Sequence, residues 1–156
     1  MKESGYHGTC SKYQYSIETE GFDPDKSKYE SSLVLEKIEI IESTFRKKSV
    51  TLEDLELGVQ FEHQLTKLDQ EQYEVFLSAT VSDVNETIYV NVKGRAIFST
   101  KQENKDLLEK NTIAIMFPYI RSYISSITTQ PGMTPIVLPA MNIVAMINDQ
   151  KTEEKS

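Results

Sequence analysis

Apolar and polar residues alternate along three stretches in the middle of the chain. Apolar side chains occupy nearly every second position in the ranges 57–65, 73–81 and 88–98. A period of two is typical of β-strands that bury one face and expose the other. Turn-forming residues at 68–71 and 83–86 separate the three stretches. The pattern therefore predicts three consecutive antiparallel strands joined by short turns.

A further strand is predicted ahead of these three, over residues 33–45. Leu33 and Leu35 share one parity, whereas Ile38 and Ile40 share the other. A β-bulge between the two pairs would bring all four side chains to one face of the sheet. The alternate positions of the later strands are mostly polar, so the opposite face is expected to meet water or a polar partner.

The apolar period becomes that of a helix after residue 104. Apolar residues then recur every three to five positions, which predicts a helix over Lys105–Thr129. Pro118 lies inside this range and cannot donate a hydrogen bond to the carbonyl of Ala114. A kink at Pro118, or a helix that begins near it, is therefore expected.

A break and a second, shorter helix follow. Pro131 and Gly132 are expected to end the long helix, because proline disfavours a helical conformation in the residue before it and glycine accepts positive φ. Residues 133–138 are almost wholly apolar, which predicts an extended segment. Pro139 suits the first turn of a short helix, which is predicted over Ala140–Ile147.

Together these elements predict an α+β fold: a four-stranded antiparallel sheet with one long and one short C-terminal helix packed on one face. Residues 1–31 are polar and lack sustained periodicity, so they are predicted to form a flexible N-terminal arm, with docking of the arm's tyrosines on a groove as the alternative. The folded domain is expected to span residues 32–148. Residues 149–156 are expected to form a charged C-terminal tail.

The long helix exceeds what the predicted sheet can cover. A helix of about 25 residues extends roughly 38 Å, whereas four strands about 4.8 Å apart give a sheet only about 15–20 Å wide. The excess apolar surface of the helix is therefore expected to be buried against another subunit. The residues assigned to this oligomer interface are Met116, Ile120, Tyr123 and Ile124.

Composition argues against several classes of function. The formal net charge of -7 repels a phosphate backbone, so nucleic acid is not expected as a partner. No run approaches the ~18 apolar residues of a membrane span, and the first 19 residues carry no signal-peptide pattern, which predicts a cytoplasmic protein without stable membrane insertion. Cys10 has no second cysteine to pair with in the chain, which favours a reducing compartment.

The chain offers little for catalysis. Its two histidines are His7 and His63, and Glu62 points to the face of its strand opposite His63, so these two neighbours cannot form a catalytic dyad. His63 is interpreted as a partly buried strand residue, with pH-dependent release of cargo as the alternative. No glycine-rich phosphate loop, metal-ligand spacing or nucleophile motif occurs. We therefore expect no catalytic residue, no metal and no cofactor.

A specific motif runs from residue 117 to residue 147. It consists of a Phe-Pro-Tyr-x-Arg helix segment, a glycine turn, a proline-rich apolar loop and a Pro-x-x-Asn opening of the last helix. The residues that carry it are Phe117, Pro118, Tyr119, Arg121, Gly132, Pro135, Leu138, Pro139 and Asn142. This motif resembles the signature of the SecB family of protein-export chaperones. Residues 73–75 and 96–99 are also similar to the family's third and fourth strands, so the resemblance spans roughly residues 33–147.

The resemblance implies a homotetramer built as a dimer of dimers. It also implies a molecular chaperone, or holdase, that binds unfolded preproteins in an apolar groove and keeps them competent for export by the SecA/Sec translocation route. Such a groove accepts many sequences because apolar burial is non-directional and methionine adapts to irregular shapes. The residues assigned to the polypeptide-binding groove, each with ordinary core as its alternative, are Val50, Leu52, Leu55, Phe61, Met133, Ile136 and Leu138.

The resemblance also implies a docking site for the translocation motor SecA. The family usually carries acidic residues at the end of the first strand for this purpose. Glu42 is acidic here, whereas Arg46 and Asn91 stand where an acid is expected, and Glu42 and Asn91 are the positions assigned to SecA docking. These departures keep two alternatives open: a dedicated SecB-like chaperone of one partner such as an antitoxin, and a non-catalytic module that binds an apolar ligand or acts as a scaffold.

Overall fold

The computed structural model describes residues 32–49 and 54–155 of the chain. The predicted N-terminal arm lies outside these residues. The described chain forms a four-stranded antiparallel sheet in the order β1-β4-β3-β2, followed by two helices. The strands are β1 (Leu33–Lys47), β2 (Gly58–Lys67), β3 (Gln72–Ser82) and β4 (Ile88–Thr100), and the helices are α1 (Lys105–Ile127) and α2 (Ile143–Lys155).

The predicted α+β architecture is confirmed. Strands β2, β3 and β4 form a meander, and β1 pairs with β4 rather than with its neighbour in sequence. Alternate residues of β3 and β4 are buried on one face, which the helices cover, and partly exposed on the other. Helix α1 packs on β3 and β4, while α2 packs on β2 and α1. We call the covered face the inner face and the opposite one the outer face.

Strand β1 contains the predicted bulge and a second one. The register with β4 shifts between Leu35 and Lys37, and again between Ile40 and Glu42. The first shift returns Ile38 and Ile40 to the inner face, because they pair with inner-face positions of β4. Parity along the sequence predicted the first shift. The second shift was not predicted.

Helix α1 begins at Lys105, as predicted, and continues through Pro118, so the alternative of a helix that begins near Pro118 is wrong. The side chain of Asn104 caps the helix by accepting a hydrogen bond of 3.2 Å from the backbone N–H of Leu107. Buried residues lie on both sides of Pro118, including Ile113 and Ile120. Their packing on the sheet offsets the backbone hydrogen bond that the proline removes.

The structure corrects the assignment of Met116, Ile120 and Ile124 to a subunit interface. All three are 0% exposed within the single chain, so they belong to its own core. Gly94 on β4 explains the close packing, because a Cβ atom there would lie 2.8 Å from Cδ1 of Ile120 and 3.6 Å from Cε of Met116. A glycine beneath α1 therefore lets the helix bury more of its apolar surface than helix length alone suggested.

Helix α2 begins later and ends later than predicted. Asn142 caps it, because its side-chain oxygen accepts from the N–H of Ala145 at 3.1 Å and its carbonyl accepts from Met146 at 3.2 Å. The helix therefore begins at Ile143 rather than at Ala140. It runs to Lys155 and takes in nearly all of the segment predicted as a charged tail, whose Glu and Lys residues favour helix.

Candidate functional site

The predicted groove residues fall into three groups. Phe61 and Leu138 are core residues, with only 2% and 3% of their surface exposed. Phe61 packs edge-on against Phe117, with ring centroids 5.7 Å apart and an interplanar angle of 81°. A second group is half-buried and packed against the same core, and it comprises Leu55, Met133 and Ile136. Val50 and Leu52 lie outside the described residues.

The loop that carries Met133, Ile136 and Leu138 is held tightly to α1. We call residues 128–142 the return loop. The hydroxyl of Thr128, which is fully buried, donates to the carbonyl of Ile124 at 2.7 Å and accepts from the N–H of Ile136 at 2.9 Å. The hydroxyl of Ser125 donates to the carbonyl of Ile136 at 3.0 Å. Both backbone groups of Ile136 are thus bonded to side chains at the end of α1, so the loop backbone is fixed there.

Gly132 makes the turn that begins this return. Its φ is 84°, a conformation that side-chain-bearing residues rarely adopt. A C-terminal glycine that reverses the chain after a helix is a common arrangement. The Pro131–Gly132 break predicted from sequence is therefore present, and it directs the return loop back along the helix.

Helix α2 covers β2 and closes this side of the inner face. Ile143 and Ile147 are buried, while Val144 and Met146 are half-buried against the core. Toward its end, the ammonium group of Lys151 lies 3.7 Å from a carboxylate oxygen of Glu109 on α1. Because both side chains are partly exposed, this ion pair contributes at most about 1 kcal/mol. Apolar burial is the main force that holds α2.

A partly enclosed cavity of about 270 Å³ lies where β2, α1 and α2 meet. His63 lines it and is half-buried, and its Nε2 lies 3.3 Å from the hydroxyl oxygen of Thr112. That hydroxyl already donates to the carbonyl of Glu109 at 3.1 Å, so Nε2 of the neutral ring is the donor to Thr112. Burial lowers the pKa of His63 to about 4, with Glu109 opposing the shift and Lys151 adding to it.

The inner face is left incompletely covered along β1. Ile38 and Ile40 are half-buried there, and a shallow cavity of about 290 Å³ separates them from Tyr119 and Tyr123 on α1. Tyr119 is 49% exposed. The hydroxyls of Tyr123 and Ser43 lie 3.2 Å apart and close part of the gap. We call Ile38, Ile40, Tyr119 and Tyr123 the β1 strip.

The outer face of the sheet is charge-balanced, although the whole chain carries a net charge of -7. Arg95 lies at its centre and contacts Glu74 at 2.6 Å and Glu39 at 3.1 Å. Lys37, and then Arg95, lower the pKa of the Glu39 carboxyl by hydrogen bonding. In the strand register, Glu39 lies opposite Arg95 and Glu42 lies opposite Lys93. The same face also carries the cations Lys37 and Arg46 and the carboxylates Glu62 and Glu74, so four positive and four negative side chains share it.

The two positions assigned to SecA docking lie on this outer face. Glu42 is exposed and pairs across the strands with Lys93. The side-chain amide of Asn91 donates to the hydroxyl of Thr80 at 2.8 Å, so it is already engaged within the sheet. Arg46 stacks over Tyr89 with its guanidinium carbon 4.4 Å from the ring centre. Neither position lies in a continuous acidic patch.

Neither a metal cluster nor a membrane-spanning helix is found among the residues that the structure describes. Across residues 32–49 and 54–155, no group of three or more His, Cys, Asp or Glu side chains is arranged to hold a metal ion. In the same residues, no helix combines the length and the apolar character needed to cross a membrane.

Comparison with known proteins decides the family. The family described as preprotein translocase subunit SecB matches residues 31–154, nearly the whole of the described chain. The chain belongs to the SecB family. This confirms the resemblance drawn from the motif at residues 117–147. SecB is a family of chaperones of protein export, which act without catalysis, and the chain is accordingly a chaperone-family protein.

Individual SecB relatives are distant in sequence. The protein-export protein SecB of Methylobacillus flagellatus is 30% identical over 106 residues, which cover 64% of this chain and 68% of the relative. That of Orientia tsutsugamushi is 25% identical over 135 residues, covering 81% and 82% of the two chains. An uncharacterised protein of Methanocaldococcus jannaschii is 24% identical over 135 residues, covering 81% and 86%.

A solved structure shares the fold. The SecB-like chaperone Rv1957 of Mycobacterium tuberculosis was solved in complex with a ChAD peptide from the HigA1 antitoxin. It superposes with a TM-score of 0.55 at 16% identity, covering 70% of this chain and 87% of that one. At this identity the likeness establishes the four-stranded sheet with its two helices and no detail of the site.

Sequence reasoning missed several residues of these surfaces. Tyr119 belongs to the sequence motif but was not predicted as a site residue, and its exposure makes it the most accessible member of the β1 strip. Ser125 and Thr128 were not singled out, although they fix the return loop. Hydroxyl residues in the last turn of a helix, just before a Pro-Gly break, were the available signal, because such side chains commonly bond to nearby backbone groups.

Proposed function

We propose that this protein is a holdase that binds non-native polypeptides by apolar burial and keeps them competent for export through the SecA/Sec route. The observation that carries the proposal is the return loop. It presents Met133 and Ile136 half-exposed on a backbone that α1 holds in place at Ile136. A fixed backbone lowers the ordering cost of binding, while a methionine side chain adapts to different sequences. The mechanism needs no cofactor.

The edge of the sheet supports the same function. Within the described residues, β2 has a strand neighbour only on its β3 side. A free edge leaves backbone N–H and C=O groups that an extended segment can pair with. A non-native chain offers both unpaired backbone groups and apolar side chains, so the edge and the return loop complement the two things that it exposes.

The proposal is tested by light scattering from an unrelated protein that aggregates on dilution from denaturant. The wild-type chain is expected to suppress aggregation at stoichiometric ratio. The double variant Met133→Asp with Ile136→Asp is expected to lose this suppression, because two carboxylates would enter the apolar contact surface. Circular dichroism and a thermal melt show whether the variant is still folded.

A matched control places the same charges elsewhere. Leu68 and Val84 are apolar turn residues, 51% and 98% exposed, and lie outside the return loop. The double variant Leu68→Asp with Val84→Asp is expected to suppress aggregation as well as the wild type. Equal suppression by both double variants would contradict the return-loop site.

Self-association belongs to the same proposal. The proposed interface is the β1 strip, because Met116, Ile120 and Ile124 are buried in the core of the single chain. Of the four interface residues predicted from sequence, Tyr123 alone belongs to the β1 strip. An incompletely covered apolar surface beside a sheet edge suits contact with a second copy. Light scattering of the purified chain is expected to give a mass above the 17.8 kDa of one chain, and a dimer of dimers would give four times that value. A monomer at micromolar concentration would contradict this part of the proposal.

A dedicated chaperone of one partner, such as an antitoxin, is the second candidate. The charge balance of the outer face favours it, because Glu42 lies opposite Lys93, and Arg46 and Asn91 replace the acids that the family resemblance leads one to expect for SecA docking. The aggregation assay separates the two candidates. If the chain suppresses the aggregation of unrelated proteins, the general holdase is supported. If it suppresses the aggregation of one native partner alone, the dedicated chaperone is supported. If it suppresses no aggregation, an apolar-ligand or scaffold role is left.

A further inference from the structure

Helix α2 has a narrow buried face. Among its described side chains, Ile143 and Ile147 are buried, at 4% and 5% exposed, and the ion pair that Lys151 makes with Glu109 is partly exposed. The return loop before it is bonded to α1 at Ile136, but α2 itself begins only at Ile143. A short helix with a small buried face can detach locally while the sheet and α1 stay folded.

One titratable group lies under this helix. His63 lines the cavity between β2, α1 and α2, where the wall contributed by α2 includes Val144 and Ile147. Within the described residues, the one hydrogen bond recorded for its ring is that to Thr112. The docked helix thus encloses a neutral imidazole in a partly apolar space. A charged imidazolium there would lose hydration, and the nearby carboxylate of Glu109 would offset only part of that loss.

The charged groups around the cavity do not reverse its preference for the neutral imidazole. Helix α1 contributes Asp106, Glu109 and Lys110, and α2 contributes Lys151. Glu109 favours the charged ring, but Lys151 opposes it, and burial outweighs both. On the neighbouring strand the residue opposite His63 is the buried, apolar Leu77.

We propose that α2 is an acid-releasable cover, which detaches from β2 when His63 takes up a proton and leaves the cavity open. Detachment would expose Ile113 and Ile147, and thereby enlarge the apolar surface open to a polypeptide. That consequence rests on the proposed function, whereas the coupling between His63 and α2 does not.

The direction and size of the effect follow from linkage. With α2 docked the pKa of His63 is about 4, against an ordinary value of 6.5. The docked state is therefore fully favoured above pH 6.5 and loses stability as the pH falls toward 4. Between pH 7.5 and pH 5.5 the equilibrium constant for release is expected to rise about tenfold.

The first test is amide hydrogen exchange of α2 in the client-free protein, corrected for the intrinsic pH dependence of exchange. Protection of the α2 amides is expected to fall about tenfold from pH 7.5 to pH 5.5, with α1 unchanged. The variant His63→Leu should remove this pH dependence, and His7→Gln, which alters the other histidine, should retain it. The proposal would be overturned if protection of the α2 amides in the wild type did not change with pH, or if His63→Leu kept the same pH dependence.

A reciprocal test does not depend on how well His63→Leu folds. The variant Ile143→Ser with Ile147→Ser removes the apolar anchors of α2 without placing a charge in the cavity beside His63. Titration of the His63 ring by NMR should then give a pKa near 6.5 instead of about 4. An unchanged pKa would show that α2 does not control the ring. Because neither test involves a client, their failure is distinct from failure of the holdase proposal.

Discussion

The centre and the margin of this domain are built from similar residues but are packed very differently. At the centre, α1 lies over β3 and β4, and Met116, Ile120 and Ile124 are fully buried above Gly94. At the margin, the return loop lies against the end of α1 and α2 lies over β2, and Met133 and Ile136 in the loop keep part of their surface exposed. Burial supplies most folding free energy, so the centre maintains the fold. Because its apolar side chains are only partly buried, the margin keeps exposed apolar surface that is available for binding.

The comparison is tested most strongly by making the same truncation in both regions. Ile120→Ala at the centre is expected to lower the free energy of unfolding by about 2–5 kcal/mol, because it leaves a cavity in a closed core. Ile136→Ala at the margin is expected to cost about 1 kcal/mol, because its side chain is already partly in water. Denaturant unfolding of both variants gives the two values. Equal losses would remove the distinction between the regions.

A smaller effect is expected from releasing the return loop from α1. Thr128→Val keeps the shape of the side chain but removes the hydroxyl that bonds to Ile124 and to Ile136. The partly buried N–H of Ile136 then lacks its partner, which costs about 1 kcal/mol, the low end for a buried group left unpaired. Hydrogen exchange at the amide of Ile136 should accelerate. The amides of β3 and β4 should still exchange only at the rate set by global unfolding of the variant.

The control for this variant lies one residue further along the chain. Thr129→Val removes a hydroxyl that is exposed and donates only to the carbonyl of Ser125, at 2.8 Å. Its effect on Ile136 exchange should be slight. If Thr129→Val and Thr128→Val accelerate exchange alike, the hydroxyl of Thr128 is not what holds the loop.

Much of the fold could be predicted from the periodicity of apolar residues, and the predictions that failed did so for physical reasons. The strands, the bulge after Leu35 and the break at Gly132 were all predicted, because each leaves a local signal in the chain. The start of α2 was placed too early, since Pro139 suits a first helical turn but the cap at Asn142 decides where the helix begins. Local preferences compete, and only the observed hydrogen bonds show which one prevails.

The site was predicted less well than the fold. Phe61 and Leu138 have the apolar character of groove residues, yet they are core, because strand alternation and helix packing direct them inward. Met133 and Ile136 have the same character and remain partly exposed. A sequence lists apolar residues without saying how much of each remains uncovered, since the cover comes from elements distant in the chain.

The sequence by itself determined the family, the number of strands and helices, and which residues share a face, because motif and period are properties of neighbouring positions. Only the tertiary structure decided that β1 joins β4, that Gly94 admits α1 close to the sheet, and that the β1 strip is left partly uncovered. The reason is physical. Exposure depends on the fit between surfaces brought together by the whole chain, and a single side chain such as that of Gly94 or Thr128 can change that fit.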